Sequence, residues 1–378
     1  MGDESFLGPG QVSVDVAAIE QELKRLWKES SRPAEGQAAP AVMRACQLNL
    51  VICCWGEKQA VEATGTAAQV AAVRPSRVIM TVVDPDASEP LRATITAHCA
   101  FTSEGGRGKQ VCCEQITLTV GTHAVGRLPG AVLPLLLADL PVVLWYVGDL
   151  QLGGDDPTSD LARDLMEAAD RIVVDSRRFA DLAKRFEQLA AVGRPIADLS
   201  WARLRGWREV IAGMFDNPAF ENHPQLIQEI AIEEETNDAE GPAAAILLGA
   251  WMASRLGWRC DRSRNPADRS FEARFRTPAG GAGRLVIRSE RGKQSAGVST
   301  IMLTADETTF RVVRKGGCAT ATVTSAGHEP IARVVPLVQR DQATLLCRCL
   351  ESAGDPLYEE TLGLARRIVN TSEGGHAS

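Results

Sequence analysis

From Leu91 to Phe101 apolar and polar residues alternate. Leu91, Ala93, Ile95, Ala97, Cys99 and Phe101 share one face, and Arg92, Thr94, Thr96 and His98 share the other. A period of two is the signature of a half-buried strand. Gln110 to Val120 repeats the pattern, and TSEGGRGK between the two reads as a hairpin-like loop. Upstream, Val16, Ile19, Leu23, Leu26 and Trp27 recur at helical spacing and predict a helix over Val14–Lys28. Ala41–Trp55 reads as one long strand, its even positions more apolar than its odd ones. Glu57–Val73 is alanine-rich and helical, and Arg77–Val83 is a compact apolar strand stopped by Asp84-Pro85. A helix over Arg127–Leu137, a buried strand over Pro141–Val147, a helix over Ser159–Ala169, a strand over Arg171–Val174 and a helix over Phe179–Ala191 follow. Helices alternating with short apolar strands imply a parallel or mixed sheet covered by helices.

A boundary is expected near Ala197 or between Asp216 and Pro224, and the character changes from Trp258. Ser200–Phe215 reads as one helix with Leu204, Trp207, Ile211 and Met214 as its apolar stripe, stopped by Asp216-Asn217-Pro218. Gln225–Glu234 reads as a strand, and Pro242–Leu256 as a helix closed by Gly257. Then come strand-like pieces at 258–260, 271–276, 284–289, 299–304, 308–314 and 319–325, separated by Gly-, Pro- and Ser-rich turns. They predict an antiparallel meander. Helices over Asp341–Glu351 and Pro356–Asn370 close the chain. The fold class is therefore α/β (α+β): an N-terminal mixed sheet covered by helices, then a C-terminal domain rich in antiparallel strands and closed by two helices. The expected division is 1–40 as N-terminal helix and linker, 41–197 as the α/β domain, 198–258 as a helical connecting segment, and 259–378 as the strand-rich domain. The first dozen residues, the linker SSRPAEGQAAP and the tail TSEGGHAS read as irregular by composition.

Composition narrows the function classes. The 378 residues hold 48 acids against 41 bases, a net charge of −7, which disfavours a general nucleic-acid binder. Ten cysteines in this length fall far below the density of a disulfide scaffold. The N-terminus MGDESFLGPG is acidic and polar, unlike a secretory leader. The longest apolar run, Ala131–Val147, is broken by Pro134, Asp139 and Pro141 and does not reach the roughly 20 residues of a membrane span. Reduced thiols, no membrane and a cytoplasmic location are expected.

No active-site motif stands out in the sequence. EGGRGKQ lacks the spacing of a phosphate loop, no G-x-G-x-x-G follows a strand, and there is no G-x-S-x-G. His98, His123, His223, His328 and His376 stand alone, outside paired-ligand motifs. The cysteines form two vicinal pairs, Cys53-Cys54 and Cys112-Cys113, and one C-x-C, with no C-x-x-C. Each vicinal pair on a strand reads as one core thiol and one facing the other way. Cys347 and Cys349 sit about 200° apart on a helix, so they cannot bridge there. Cys349 shares the apolar face, whereas Cys347 lies outside it and is the candidate redox thiol. No catalytic residue, metal set or cofactor is predicted.

What remains is Trp201-Ala202-Arg203-Leu204-Arg205-Gly206-Trp207-Arg208-Glu209. Trp and Arg are enriched at protein–protein hot spots. Trp201, Arg203, Trp207 and Arg208 are the candidate partner-binding residues. Trp201, Arg203 and Arg208 reaching outward is one reading; a core Trp201 and Trp207 with solvated arginines is the other. Charge is also split. Glu221–Glu240 carries seven acids and no base, while Arg284–Lys315 carries seven bases and three acids. Opposite patches in one chain favour docking within it or onto a partner.

LPLLLADLPVVLWYVGD (133–149), RIVVDS (171–176), DLSWARLRGWREVIAGMFDNP (198–218) and LLGAWMASRLGW (247–258) resemble, in order and spacing, the glucose-6-phosphate dehydrogenase assembly protein family, OpcA. The resemblance is close over 41–258 and looser beyond. Gly206 departs from the Thr-Pro often found ahead of the Trp. The resemblance implies a non-enzymatic partner of glucose-6-phosphate dehydrogenase. Such a partner promotes the enzyme's oligomerisation or activates it allosterically, supporting the oxidative pentose phosphate pathway and NADPH supply. The alternative is an α/β enzyme of sugar-phosphate metabolism using arginines such as Arg203 and Arg208 to bind phosphate.

Overall fold

The structure, a computed structural model, describes residues 12–14, 18–30, 42–44, 46–87, 91–102, 109–149, 157–237, 241–264, 270–291, 297–351 and 354–370. Residues 1–11, residues 31–41, the loop 103–108, the end of the acidic stretch at 238–240 and the tail with His376 lie outside the described residues, as do the side chains of His98, Cys99 and Cys112. The chain separates into two compact units. The first takes 1–174, 194–196 and 342–353; the second takes 175–193, 197–341 and 354–378. Of the two terminal helices, Gln342–Glu351 goes with the first unit and Pro356–Asn370 with the second.

The first sheet runs Val12–Val14, Arg92–Thr102, Lys109–Val120, Ser76–Val83, Leu48–Trp55, Val142–Tyr146, Arg171–Val174 and Ile196–Asp198, with Val42–Arg44 paired off this path to Lys109–Val120. Leaving out the hairpin strand Arg92–Thr102 and the short strands Val12–Val14 and Val42–Arg44 that pair beside it or off the path, six strands in chain order lie in the spatial order 3-2-1-4-5-6. The pairs that join the first five are parallel. This is the doubly wound order. It explains why Leu48–Trp55 and Ser76–Val83 are nearly continuous apolar runs, since helices cover both faces of such a sheet. The expected strand over 41–55 is accordingly two strands, Val42–Arg44 and Leu48–Trp55, without the expected alternation. Cys53 and Cys54 are both buried for the same reason, where opposite environments were expected. Two polar devices fasten this unit. Asn49 donates to the carbonyls of Leu137 and Leu140 and accepts from the Leu137 amide. Arg77 and Glu114 form a buried ion pair, and Arg77 also donates to the Leu135 carbonyl at 2.7 Å.

The second sheet runs Arg259–Arg264, Ser270–Arg276, Ala282–Arg291, Ile227–Thr236, Gly297–Ala305, Thr308–Lys315, Cys318–Ser325 and Ile331–Pro336. The expected meander is therefore interrupted: Ile227–Thr236 enters at its centre, parallel to Ala282–Arg291. Register sets Glu229 beside Arg284 and Glu233 beside Arg288, and Arg284 bonds both Glu229 and Glu272 at 3.1 Å. The Arg284–Glu229 ion pair thus joins the basic stretch to the acidic one within this sheet. Ala243–Arg255, buried from Ala243 to Ala253, packs on these strands. A Cβ on Gly249 would stand 2.8 Å from Leu285, so a side chain there would hold the helix off the sheet. Gly257 follows with φ +67°, the left-handed residue expected past a helix end.

Candidate functional site

The Trp/Arg segment folds as two short helices, Leu199–Arg203 and Arg205–Ala212, where one helix was expected. Asp198 starts the first, its carboxylate accepting from the Ser200 amide at 2.8 Å. Gly206 opens the second next to Leu337, whose Cδ1 lies 2.8 Å from where a Cβ would stand.

The side chains of this segment turn inward. Trp201 is 4% exposed, and its indole N–H donates to Asp355 at 2.7 Å. Its ring lies 5.8 Å from that of Tyr358. The Arg208 guanidinium sits 3.5 Å above the Trp201 ring centre and donates to the Trp201 carbonyl at 2.9 Å. Trp207 is buried as well. Arg203 grips Asp175 with two parallel bonds of 2.9 and 2.8 Å. Of the two sequence readings, the core position of both tryptophans holds. The arginines are neither free nor simply solvated, because a desolvated guanidinium requires an anion or a ring face. Arg205 is the exposed base of the segment, paired with Glu209 at 2.8 Å.

Around Arg203 lie two buried carboxylates that sequence reasoning did not single out. Asp175 accepts from Arg203, from Arg177 at 3.4 Å and from the Ser200 hydroxyl at 2.9 Å. Asp198 accepts from the amides of Ser176 and Ser200 and from the Tyr358 hydroxyl at 3.3 Å. Their titrations split. Burial pushes Asp175 up, but the charges of Arg203 and Arg177 and the bonds from Arg203 and Ser200 outweigh it and hold the carboxyl at about 2. Burial, then the Asp175 charge, raises Asp198 to about 6. Burial likewise lowers Arg208 to about 10. A split pair of carboxylates is an acid–base arrangement in a cleft; here each carboxylate is 1% exposed and bonded to the fold. The signal for it in sequence was an Asp with a Ser one or two residues on, in RIVVDS and DLSWARL, each at the end of a strand.

The cysteines sort by burial. Cys53, Cys54, Cys113 and Cys349 are buried, and burial raises Cys53 to about 11. Cys347 is half-buried on Gln342–Glu351. The exposed thiol among the described cysteines is Cys318, which the spacing argument missed. Among the described residues no group of three His, Cys, Asp or Glu could hold a metal ion, and no helix is long and apolar enough to cross a membrane.

A 3-2-1-4-5-6 sheet places a dinucleotide, where one binds, outside the carboxyl ends of its first and fourth strands, with the pyrophosphate on a glycine-rich turn. In this chain the first strand ends at Trp55 and the helix Gly56–Val73 begins at once. Gly56 has φ +74°, but the positions two and five residues on carry Lys58 and Val61 in place of glycines. The Trp55 amide donates to the Gln59 side chain at 2.9 Å. The same side chain lies 2.8 Å from the point a Cβ on Gly148 would occupy, so it reaches toward the turn after the fourth strand. Asp84, just past the second strand, caps the Asp86 amide of its own turn. These residues do not build a phosphate cradle and do not fit the cofactor.

Residues 67–191 match the family described as the glucose-6-phosphate dehydrogenase subunit N-terminal domain, and residues 194–362 match its C-terminal domain. The OxPP cycle protein OpcA of Nostoc punctiforme is 27% identical over 325 residues, 79% of this chain and 66% of the relative. That of Synechocystis is 26% identical over 341 residues, 83% of this chain and 68% of the relative. The chain spans about two thirds of the length of these relatives. A levoglucosan dehydrogenase in complex with NADH and L-sorbose superposes with a TM-score of 0.50 at 11% identity, over 86% of this chain and 96% of that one. At that identity the likeness concerns the fold alone.

Proposed function

From the premise that the chain belongs to the OpcA family of glucose-6-phosphate dehydrogenase assembly proteins, we propose that it is a non-catalytic partner of that dehydrogenase. It binds the enzyme and favours its active oligomeric state, in the cytoplasm, in support of the oxidative pentose phosphate pathway and NADPH supply. The observation that carries this reading beyond the family is the first turn of the doubly wound sheet, where Lys58, Gln59 and Val61 stand in place of a pyrophosphate cradle. A dehydrogenase-like scaffold with that turn filled is suited to binding work.

Such a partner acts by differential affinity. It shifts the dehydrogenase only as far as it binds one state more tightly than the other; a tenfold preference is about 1.4 kcal/mol. We assign Trp201, Arg203, Trp207 and Arg208 a positioning part: their buried contacts fix the helix Arg205–Ala212, whose polar face carries the exposed Arg205 and Glu209. The alternative, a sugar-phosphate enzyme, loses its phosphate-binding arginines, since Arg203 is taken by Asp175 and Arg208 by Trp201. The test is a mixing experiment with purified dehydrogenase. The chain alone turns over no sugar phosphate, and on mixing it co-elutes with the dehydrogenase and changes its kinetics. Turnover by the chain alone, or separate elution with unchanged kinetics, overturns the reading.

A further inference from the structure

The strand Ile331–Pro336 ends the second sheet. It pairs antiparallel with Cys318–Ser325 on one side, and among the described residues no strand pairs with it on the other. Which backbone groups face outward follows from one bond. The Leu337 amide donates to the Gly317 carbonyl at 2.8 Å, so the odd positions point toward the neighbouring strand. In an antiparallel ladder the even positions then point away. Ala332 and Val334 therefore present unpaired N–H and C=O groups at the edge, and Pro336 presents a carbonyl alone. The proline's missing N–H falls on the side that needs no ladder partner.

This edge is also apolar. Ile331 is 53% exposed, Val334 71% and Val338 68%. Free edges are normally blunted by charge, bulges or shortness, because a bare one templates pairing with another chain. Here the blunting is limited to Arg333 and the terminal proline. The surroundings are basic: Thr308–Asp341 holds five bases and two acids, with Arg311, Lys315, Arg333 and Arg340 exposed. Pairing with the same edge of a second copy would oppose like charges. The occupant that fits is an extended acidic segment with large apolar residues at alternate positions, which adds a ninth strand through its main chain.

We propose that Ile331–Pro336 is a docking edge that takes up an acidic extended strand of the dehydrogenase; this rests on the function proposed above and names where that partner binds. The experiment uses the full chain and purified dehydrogenase. Amide exchange is followed at Ala332 and Val334 with and without the dehydrogenase, and affinity is measured for Val334→Pro, Val334→Thr and Arg333→Glu. Expected are slowed exchange at both amides in the complex, at least tenfold weaker binding for Val334→Pro, and binding within threefold of the parent for Val334→Thr. Arg333→Glu should weaken binding about tenfold at low salt and less at high salt. A complex whose Ala332 and Val334 amides exchange as in the free chain overturns the docking edge and leaves the proposed function standing. Parent-like affinity of Val334→Pro does the same. No complex at all overturns both.

Discussion

Arg203→Ala removes the partner of a buried carboxylate. The change removes two bonds of 2.9 and 2.8 Å to Asp175 and leaves that carboxylate, 1% exposed, with the more distant Arg177 and the Ser200 hydroxyl. Two routes give the size. Asp175 titrates at about 2 against an ordinary 3.8, a depression worth about 2–3 kcal/mol at neutral pH, only part of it from Arg203. Removing one partner of a buried pair costs about 3–5 kcal/mol, since the other charge stays behind uncompensated. The routes differ because the second includes the stranded charge; we adopt about 3 kcal/mol. At roughly 2–4 °C per kcal/mol for a unit of this size, the melting temperature should fall by about 6–12 °C. The sign with pH follows from the depressed value. Asp175 contributes its stability above its unfolded value near 4 and loses it as pH falls toward 2. Melting curves followed by circular dichroism at pH 7, 4 and 2.5 should therefore show the gap between parent and variant narrowing with acid. Arg203→Ala combined with Asp175→Asn should recover part of the loss. A gap under 1 °C at pH 7, or one that does not change with pH, would refute the reasoning.

Further outcomes follow from the same geometry. Asp198 is raised to about 6, so its fold holds the proton more tightly than the unfolded chain. Its stability is full below about pH 4 and is lost as pH rises through 6, by about 3 kcal/mol. Asp198→Asn should flatten that slope in denaturant titrations between pH 4 and 6.5, and an unchanged slope counts against the assignment. A Cβ on Gly283 would meet the Trp258 ring at 2.9–3.0 Å, so Gly283→Ala should cost about 1–3 kcal/mol of overpacking, read in a urea melt. Thiol labelling with peptide mapping should modify Cys318 well before Cys53, Cys54 and Cys113. Equal rates would contradict the burial pattern.

Much of the fold was legible because its signals are local. The helix Pro356–Asn370 and the strand Arg171–Val174 fall where periodicity puts them. Elements set by tertiary context were not. Ile227–Thr236 reads as a strand, but its place at the centre of the second sheet depends on pairing across roughly 50 residues with Ala282–Arg291. Ile331–Pro336 is exposed on both faces, so it carries no alternation to detect. Position along the chain likewise hid the inward turn of the Trp/Arg segment. The Trp and Arg residues stand out in the sequence, yet Asp175 and Asp355, which receive Arg203 and Trp201, lie 28 and 154 residues away. Spacing within a motif cannot supply partners at such distances.

The most direct measurement is the steady-state rate of purified glucose-6-phosphate dehydrogenase titrated with this chain, with the mass of the complex determined in the same samples. A non-catalytic partner predicts a change in dehydrogenase activity that saturates at a fixed stoichiometry and coincides with complex formation. The chain alone should show no turnover of glucose 6-phosphate with NADP. A dehydrogenase rate unchanged across the titration, or turnover by the chain alone, would contradict it.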